Sequence, residues 1–158
     1  MKFSVLLPTR NGGRYLGNCI SSVLNQSYGD MELIISDNAN TDNTPEIIES
    51  FSGDSRLKAI RTEKPVSVIE NWNNALYESS GDYVLMMGDD DFLLPGYFEK
   101  METVLEKYNQ PDGITCNGYT YIFPDAISEN TPSHYSDPFF RFGSDFKHEG
   151  TLSPEILH

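Results

Sequence analysis

Residues 82–91 read DYVLMMGDDD, an apolar run from Tyr83 to Met87, then a glycine, then three consecutive aspartates. A short apolar run bounded by Gly81 and Gly88 predicts a strand over Asp82–Met87 with both faces covered, as in a parallel sheet between helices. The same alternation extends in both directions. Lys2–Pro8 (KFSVLLP) is a strand ended by proline, and Gly12 and Gly13 open a helix carrying Leu16, Ile20, Val23 and Leu24. Met31–Ser36 is a second strand and Asp37–Asp42 a polar loop. Thr44 reads as an N-cap with Pro45 at the first helical position, leading into Glu46–Phe51. Leu57–Ile60 is a third strand, and Ser67 caps a helix that carries Val68, Trp72, Ala75 and Leu76 and stops at Gly81. Leu94 and Pro95 start a helix with Phe98, Met101 and Leu105, and Gly113–Cys116 and Tyr119–Phe123 read as further strands. Strands alternating with helices define an α/β chain with a mostly parallel sheet flanked by helices.

The chain has 158 residues, with 11 basic and 24 acidic side chains and a net charge of −13. It has no basic surplus to displace counterions, so nucleic acid is excluded as a partner, and an acidic surface repels anionic membranes. The longest uninterrupted apolar run, Tyr83–Met87, is far short of a membrane span. Two cysteines, Cys19 and Cys116, form no disulfide framework, which points to a reducing, cytoplasmic compartment; Cys19 lies on the apolar side of the first helix, as packing. Composition divides the chain into an α/β domain over 1–123 and an irregular segment over 124–158. That segment holds four prolines, and eight of the 19 aromatic residues lie in the last 40 positions, too many for a solvated tail.

In an open parallel sheet, ligands bind at the carboxyl ends of the strands. The loops there are Thr9–Gly13, Asp37–Asp42 and Gly88–Asp91, all polar and two rich in carboxylates. The first carries neither the dinucleotide fingerprint nor a P-loop. Three adjacent carboxylates repel one another unless a cation sits among them, and oxygen-only ligands suit Mg²⁺ or Mn²⁺. Such a cation would also let a strongly acidic chain hold phosphate. A solvated strand-to-helix turn is the plain alternative. His134, His148 and His158 are too dispersed for a metal cluster, and Lys64 reads as a solvated loop residue. Trp72, in line with Val68 and Leu76, reads as core.

Five segments occur in order: Pro8-Thr9-Arg10-Asn11, Asp37-Asn38-x-x-Thr41-Asp42, Asn71-Trp72-Asn73-x-Ala75, Gly81-Asp82-Tyr83 and Gly88-Asp89-Asp90-Asp91-x-x-x-Pro95. As a set they resemble the nucleotide-binding part of a family 2 glycosyltransferase, over about the first 110 residues. The resemblance implies the GT-A fold, the Rossmann-like architecture of nucleotide-diphospho-sugar transferases. It places Pro8, Thr9 and Asn11 in the nucleoside pocket and Asp37 on the pyrimidine base, usually uracil. It lays Asn71 and Asn73 against the nucleotide. Asp90 falls on the metal-ligating position of the D-x-D signature, with Asp89 near ribose or metal and Asp91 as the supporting acid. Three departures accompany these matches. Gly88 replaces a frequent first aspartate, Asp37-Asn38-Ala39-Asn40 replaces D-D-G-S, and Trp72 replaces a basic residue.

The implied activity is metal-dependent transfer of a sugar, with inversion, from a nucleotide-diphosphate donor to a saccharide or other hydroxyl acceptor. UDP-sugars are the favoured donors, and surface-polysaccharide synthesis is the usual employment of similar bacterial enzymes. Asp145 and Glu149 are the weak candidates for the general base, which is expected beyond His158, in a longer enzyme of which this chain is the donor half. A catalytically silent nucleotide-binding module that lacks the base is the alternative. A nucleotidyltransferase of similar fold would need a basic, glycine-rich first loop, of which Thr9–Arg14 is only a weak version.

Overall fold

The computed structural model describes residues 1–115 together with the backbone of Tyr119–Tyr121 and Phe139–Arg141. The chain divides after Thr103 into two compact units, Met1–Thr103 and Val104–His158.

The first unit is built on four parallel strands, β1 (Phe3–Thr9), β2 (Met31–Asp37), β3 (Leu57–Arg61) and β4 (Tyr83–Met86), in the order β3-β2-β1-β4. They are joined through α1 (Leu16–Leu24), α2 (Thr44–Ser50) and α3 (Val68–Tyr77), and α4 (Tyr97–Lys107) follows β4. Right-handed crossovers put α1 and α2 on one face of the sheet and α3, which runs back across β2 and β1, on the other. The side chains agree. Leu6, Ile34 and Ala75 form a buried cluster under α3. On the opposite face Phe3 stacks with Tyr28, just after α1, and with Phe98 of α4, at ring-centroid distances of 5.5 and 5.2 Å. The order reverses direction at β1, so the carboxyl ends of β1 and β4 flank the switch point where such sheets bind ligands.

Several element ends differ from the sequence expectation for local reasons. Thr44 is itself helical, with Asn43 at the cap position, and its amide is taken by Asp42 Oδ1 at 3.1 Å. Ser67 does cap α3, accepting from the Glu70 amide at 3.2 Å. That helix ends at Tyr77 rather than Gly81, because the Ser79 amide and hydroxyl both close on the Leu76 carbonyl. Gly96 is left-handed (φ 76°), so α4 starts at Tyr97 instead of at Leu94. Residues 113–115 are irregular where a strand was expected, and Cys116 lies outside the described residues.

Two expectations about burial are overturned. The stripe Val68–Trp72–Leu76 is not core: these residues are 64, 46 and 44% exposed, and α3 buries Asn71 and Ala75 instead. The small Ala75 side chain brings the helix close to Leu6 and Ile34, which rotates the bulky stripe outward. Nor is β4 covered on both faces. It is the edge strand of the sheet, α3 packs over β1 and β2, and Val84 and Met86 are 46 and 39% exposed.

The amino ends of β1, β2 and β4 are tied by one polar knot. Glu32 accepts from Ser4 Oγ (2.6 Å), Lys2 Nζ (2.9 Å) and the Ser80 amide (2.7 Å), and Lys2 N donates to Asp82 Oδ2 at 2.8 Å. Gly81 is required here, since a Cβ would lie 2.8 Å from Ser4 N and 2.9 Å from Lys2 O, both backbone atoms. The Gly81-Asp82 pair of the matched segments thus fastens β4 to β1.

The second unit contains an antiparallel pair, β5 (Tyr119–Tyr121) with β6 (Phe139–Arg141), in which Tyr119 is opposite Arg141. The strand expected over Tyr119–Phe123 is seen at Tyr119–Tyr121. Among the described residues, no helix is long and apolar enough to cross a membrane.

Burial alone would raise the Glu32 carboxyl, but the bonds from Ser4, Lys2 and Ser80 outweigh it and hold the group down at about 2. A depressed acid stabilises the folded state fully above its ordinary range, near 4.5, and loses that contribution as pH falls toward 2. Glu32→Gln is therefore expected to cost about 1–2 kcal/mol at neutral pH, from lost charge-assisted bonds. In urea unfolding, the gap between the two proteins should close as pH drops from about 4.5 to about 2.

Candidate functional site

Three loops meet at the carboxyl end of the sheet, and their own hydrogen bonds knit them. Thr9, the last residue of β1, is buried and in register with Asp37, the last residue of β2. Its hydroxyl donates to Asp89 Oδ2 at 2.6 Å, joining the end of β1 to the acid loop that follows β4. Gly12 makes this possible: a Cβ there would lie 2.2 Å from Asp89 Oδ2 and 2.7 Å from Thr9 Oγ1.

The loops after β1 and β2 interlock. Asn11 is left-handed (φ 55°); its amide donates to Asn40 Oδ1, and its own Oδ1 accepts from the Thr41 amide at 2.9 Å. The Gly13 amide donates to Asp42 Oδ2 at 3.0 Å, and bonds from Thr44 and then from Gly13 lower the Asp42 carboxyl below its ordinary value. Asn38 pairs both ends of its amide with Val66, donating to the carbonyl at 3.0 Å and accepting from the N–H at 2.8 Å. Arg10 donates to the carbonyls of Asn38 and Ala39, and Arg61 to that of Asn40.

Asp37 is 4% exposed. Its Oδ1 accepts from the Asn40 amide at 2.8 Å, and its Oδ2 lies 3.6 Å from Arg61 Nε. The carboxylate is held from both sides at the strand end. Asn40 is also buried, and its Nδ2 has no hydrogen-bond partner among the described residues.

The acid loop divides its three side chains. Asp89 turns toward Thr9. Asp91 Oδ2 accepts from the Gly88 amide at 3.0 Å. Asp90 is exposed and takes no hydrogen bond from a described residue. A side chain at Gly88 would meet Asp90 Oδ1 at 2.9 Å and Asp91 Oδ2 at 3.0 Å, so glycine leaves a cradle that two carboxylate oxygens share. That donor set, oxygen only and supplied by two acids, fits Mg²⁺ or Mn²⁺, which use few protein ligands. Among the described residues, no group of three or more His, Cys, Asp or Glu side chains forms a metal cluster. Beneath the loop, buried Cys19 points its Sγ at the Gly88 carbonyl, 3.4 Å away. Burial, and then the charges of Asp89, Asp91 and Asp90, push its thiol upward, so it stays protonated and donates.

The structure thus groups Thr9, Asn11, Asp37 and Asp89, with Asp90 and Asp91 in the same loop as Asp89, while Pro8 is half-buried one residue before Thr9. It does not bring Asn71 to them. Asn71 is buried under α3, where it accepts from Ser36 Oγ at 2.7 Å and donates to Ser36 O at 3.2 Å. Asn73 is half-buried on the same helix. Asp145, Glu149 and His158 lie outside the described residues. Sequence reasoning read Gly12 only as opening a helix and gave no side-chain role to Asn38, Asn40, Arg10 or Arg61, all of which shape the loops. For the glycine and the asparagines the signal was their density in these loops, since both suit tight turns; the two arginines left none.

A parallel sheet whose switch point carries a buried acid on one side and an aspartate-rich loop on the other has the architecture expected of the GT-A fold. The family model for glycosyl transferase family 2 matches residues 4–153, and the chain belongs to that family. It is similar to the GalNAc(5)-diNAcBac-PP-undecaprenol beta-1,3-glucosyltransferase of Campylobacter jejuni, 32% identical over 130 residues that make up 81% of this chain and 39% of that protein. It is 29% identical to the glycosyltransferase GlyG of Streptococcus pneumoniae over 98% of this chain and 48% of the relative. The chain therefore spans less than half the length of these two relatives. Among solved structures, residues 1–349 of Staphylococcus aureus TarS in complex with UDP-GlcNAc superpose with a TM-score of 0.63 at 25% identity, over 69% of this chain and 32% of that one.

Two outcomes follow from this geometry. Ala39 stands at a left-handed position (φ 48°) that an L side chain occupies at a cost of about 1–2 kcal/mol. After the greater entropy of an unfolded glycine is subtracted, Ala39→Gly should stabilise the protein by about 0.5–1 kcal/mol in urea unfolding. Gly12→Ala must expel Asp89 from Thr9, so it and Thr9→Val remove the same bond. A double-mutant cycle should show the two losses to be non-additive by about 1 kcal/mol.

Proposed function

We propose that this chain carries the donor-binding half of a glycosyltransferase that moves a sugar, with inversion, from a nucleotide-diphosphate sugar to an acceptor hydroxyl. The observation that carries the reading is the bond from Thr9 to Asp89. It joins the base side of the site to the acid loop across the switch point, where a nucleoside and its diphosphate would lie in one continuous crevice. UDP-GlcNAc bound to similar TarS favours a uridine donor.

Each residue then has a chemical task. Asp37, fixed at both oxygens, accepts from a ring N–H of the base, and its buried position excludes competing water. Thr9, Pro8 and Asn11 line the nucleoside, and Asp89 orients toward the ribose side of the acid loop. Asp90 and Asp91, beside Gly88, would hold the divalent cation. When bound, that cation supplies positive charge against the diphosphate that an acidic protein cannot otherwise offset. Transfer is a single displacement. The acceptor oxygen loses its proton to a carboxylate base and forms a bond to the anomeric carbon from the face opposite the diphosphate. The bond from that carbon to the diphosphate oxygen breaks, releasing the nucleoside diphosphate. Asn71 acts from inside the protein, holding α3 to β2.

The reading is tested by calorimetric titration of UDP and GDP with Mn²⁺ and with EDTA, on the protein and on Asp90→Ala. Wild type should bind UDP more tightly with manganese, and Asp90→Ala should lose about 10–100-fold of that enhancement while keeping its affinity in EDTA. An Asp90→Ala isotherm unchanged in manganese would overturn the assignment of the cation. Tight manganese-dependent UDP binding with no sugar transfer by the longer enzyme would instead identify a silent binding module.

A further inference from the structure

The acid loop has irregular backbone, and three neighbouring carboxylates push it apart, yet it must present oxygens at fixed positions. Strand β1 holds its start, through the Met87 amide bonded to Leu6 O at 3.0 Å, and one side chain, through Thr9 on Asp89. The rest is held by one side of α1 and the turn that follows it. Cys19, Ser22 and Gln26, spaced i, i+3, i+7, share that side. Each bonds the backbone of the segment from Gly88 to Tyr97. Cys19 Sγ donates to Gly88 O at 3.4 Å, and Ser22 Oγ accepts from Leu93 N at 3.0 Å. Gln26 Nε2 donates to Leu94 O, and its Oε1 accepts from Tyr97 N, both at 3.1 Å. The three rungs are tied back to the helix, since Gln26 Nε2 also donates to Ser22 O at 3.0 Å and Ser22 Oγ to Cys19 O at 2.8 Å. Gln26 is buried, and each end of its amide is used. Every bond from the ladder to the segment goes to main-chain atoms, so it fixes the path of the loop whatever its side chains are. The three aspartates lie between the first rung and the second.

We infer that Cys19, Ser22 and Gln26 are positioning residues for the acid loop, setting where Asp89, Asp90 and Asp91 stand relative to the nucleoside pocket. The inference rests on the donor-site reading above and adds to it the element that aligns its two halves. All three side chains bond main-chain atoms of the segment rather than its aspartate side chains. Their effect is transmitted through the backbone of residues 88–97.

Gln26→Glu provides the test. It keeps size and the acceptor for Tyr97 N but turns the donor into an acceptor facing the carbonyls of Leu94 and Ser22. Ser22→Ala, which removes the acceptor for Leu93 N, is the milder second variant should Gln26→Glu fail to fold. UDP is titrated calorimetrically in EDTA and in Mn²⁺, and amide hydrogen exchange is followed over residues 88–93. The expected result is UDP affinity in EDTA within about twofold of wild type, with the manganese enhancement reduced about tenfold and exchange at 88–93 accelerated. Equal weakening with and without manganese would make the ladder merely structural and overturn the inference, as would an unchanged enhancement. If wild type itself shows no manganese enhancement, the donor-site reading fails separately. Exchange at 88–93 then decides for the ladder, and unaltered protection in both variants overturns it.

Discussion

Two anionic elements stand on either side of the switch point of this sheet, and the hydrogen bond from Thr9 to Asp89 ties one of them to the strand between. Asp37 sits buried at the end of β2, and the aspartate loop follows β4, with β1 between them. A donor at the end of β1, close beside a glycine with no side chain to intervene, draws the nearer acid inward and leaves Asp90 facing solvent. The remaining two acids then crowd the Gly88 cradle. The arrangement of the acid loop descends from that division of labour among three adjacent carboxylates.

The two ends of the sheet are built on opposite principles. At the amino end, Glu32 gathers Lys2, Ser4 and Ser80 into a charged knot that closes over backbone with no room for a Cβ at Gly81. At the carboxyl end, side-chain amides do much of the joining, with Asn11, Asn38 and Asn40 bridging loop to loop alongside Arg10 and Arg61. Side-chain amides offer both a donor and an acceptor, so they mimic strand pairing where irregular backbone has none. The amides thereby firm the site without adding negative charge to a region already rich in it.

The order of strands and helices was legible in the sequence because apolar runs and turn residues alternate cleanly. The loops that carry the site followed from that order. What periodicity does not encode is which face of an element finds a neighbour. Val68, Trp72 and Leu76 repeat at helical spacing, yet Ala75 and Asn71 face the sheet, because close approach favours a small side chain and a satisfied amide over a bulky stripe. The run Tyr83–Met87 looked doubly covered, but strand order places β4 at an edge, and order across a sheet is a long-range property. Cys19 read as packing and is buried as expected; its bond to Gly88 joins residues 69 positions apart and leaves no local trace.

The exposed flank of β4 gives the overall acidity a second meaning. Four residues of that strand pair with β1 on one side, and in the first unit their outer amides and carbonyls meet no further strand, while Val84 and Met86 add greasy surface beside them. An open sheet margin of that kind is a template for adhesion between copies. A net charge of −13 makes each copy repel the next at the distances where such adhesion begins. The negative charge thus serves this chain as colloidal protection.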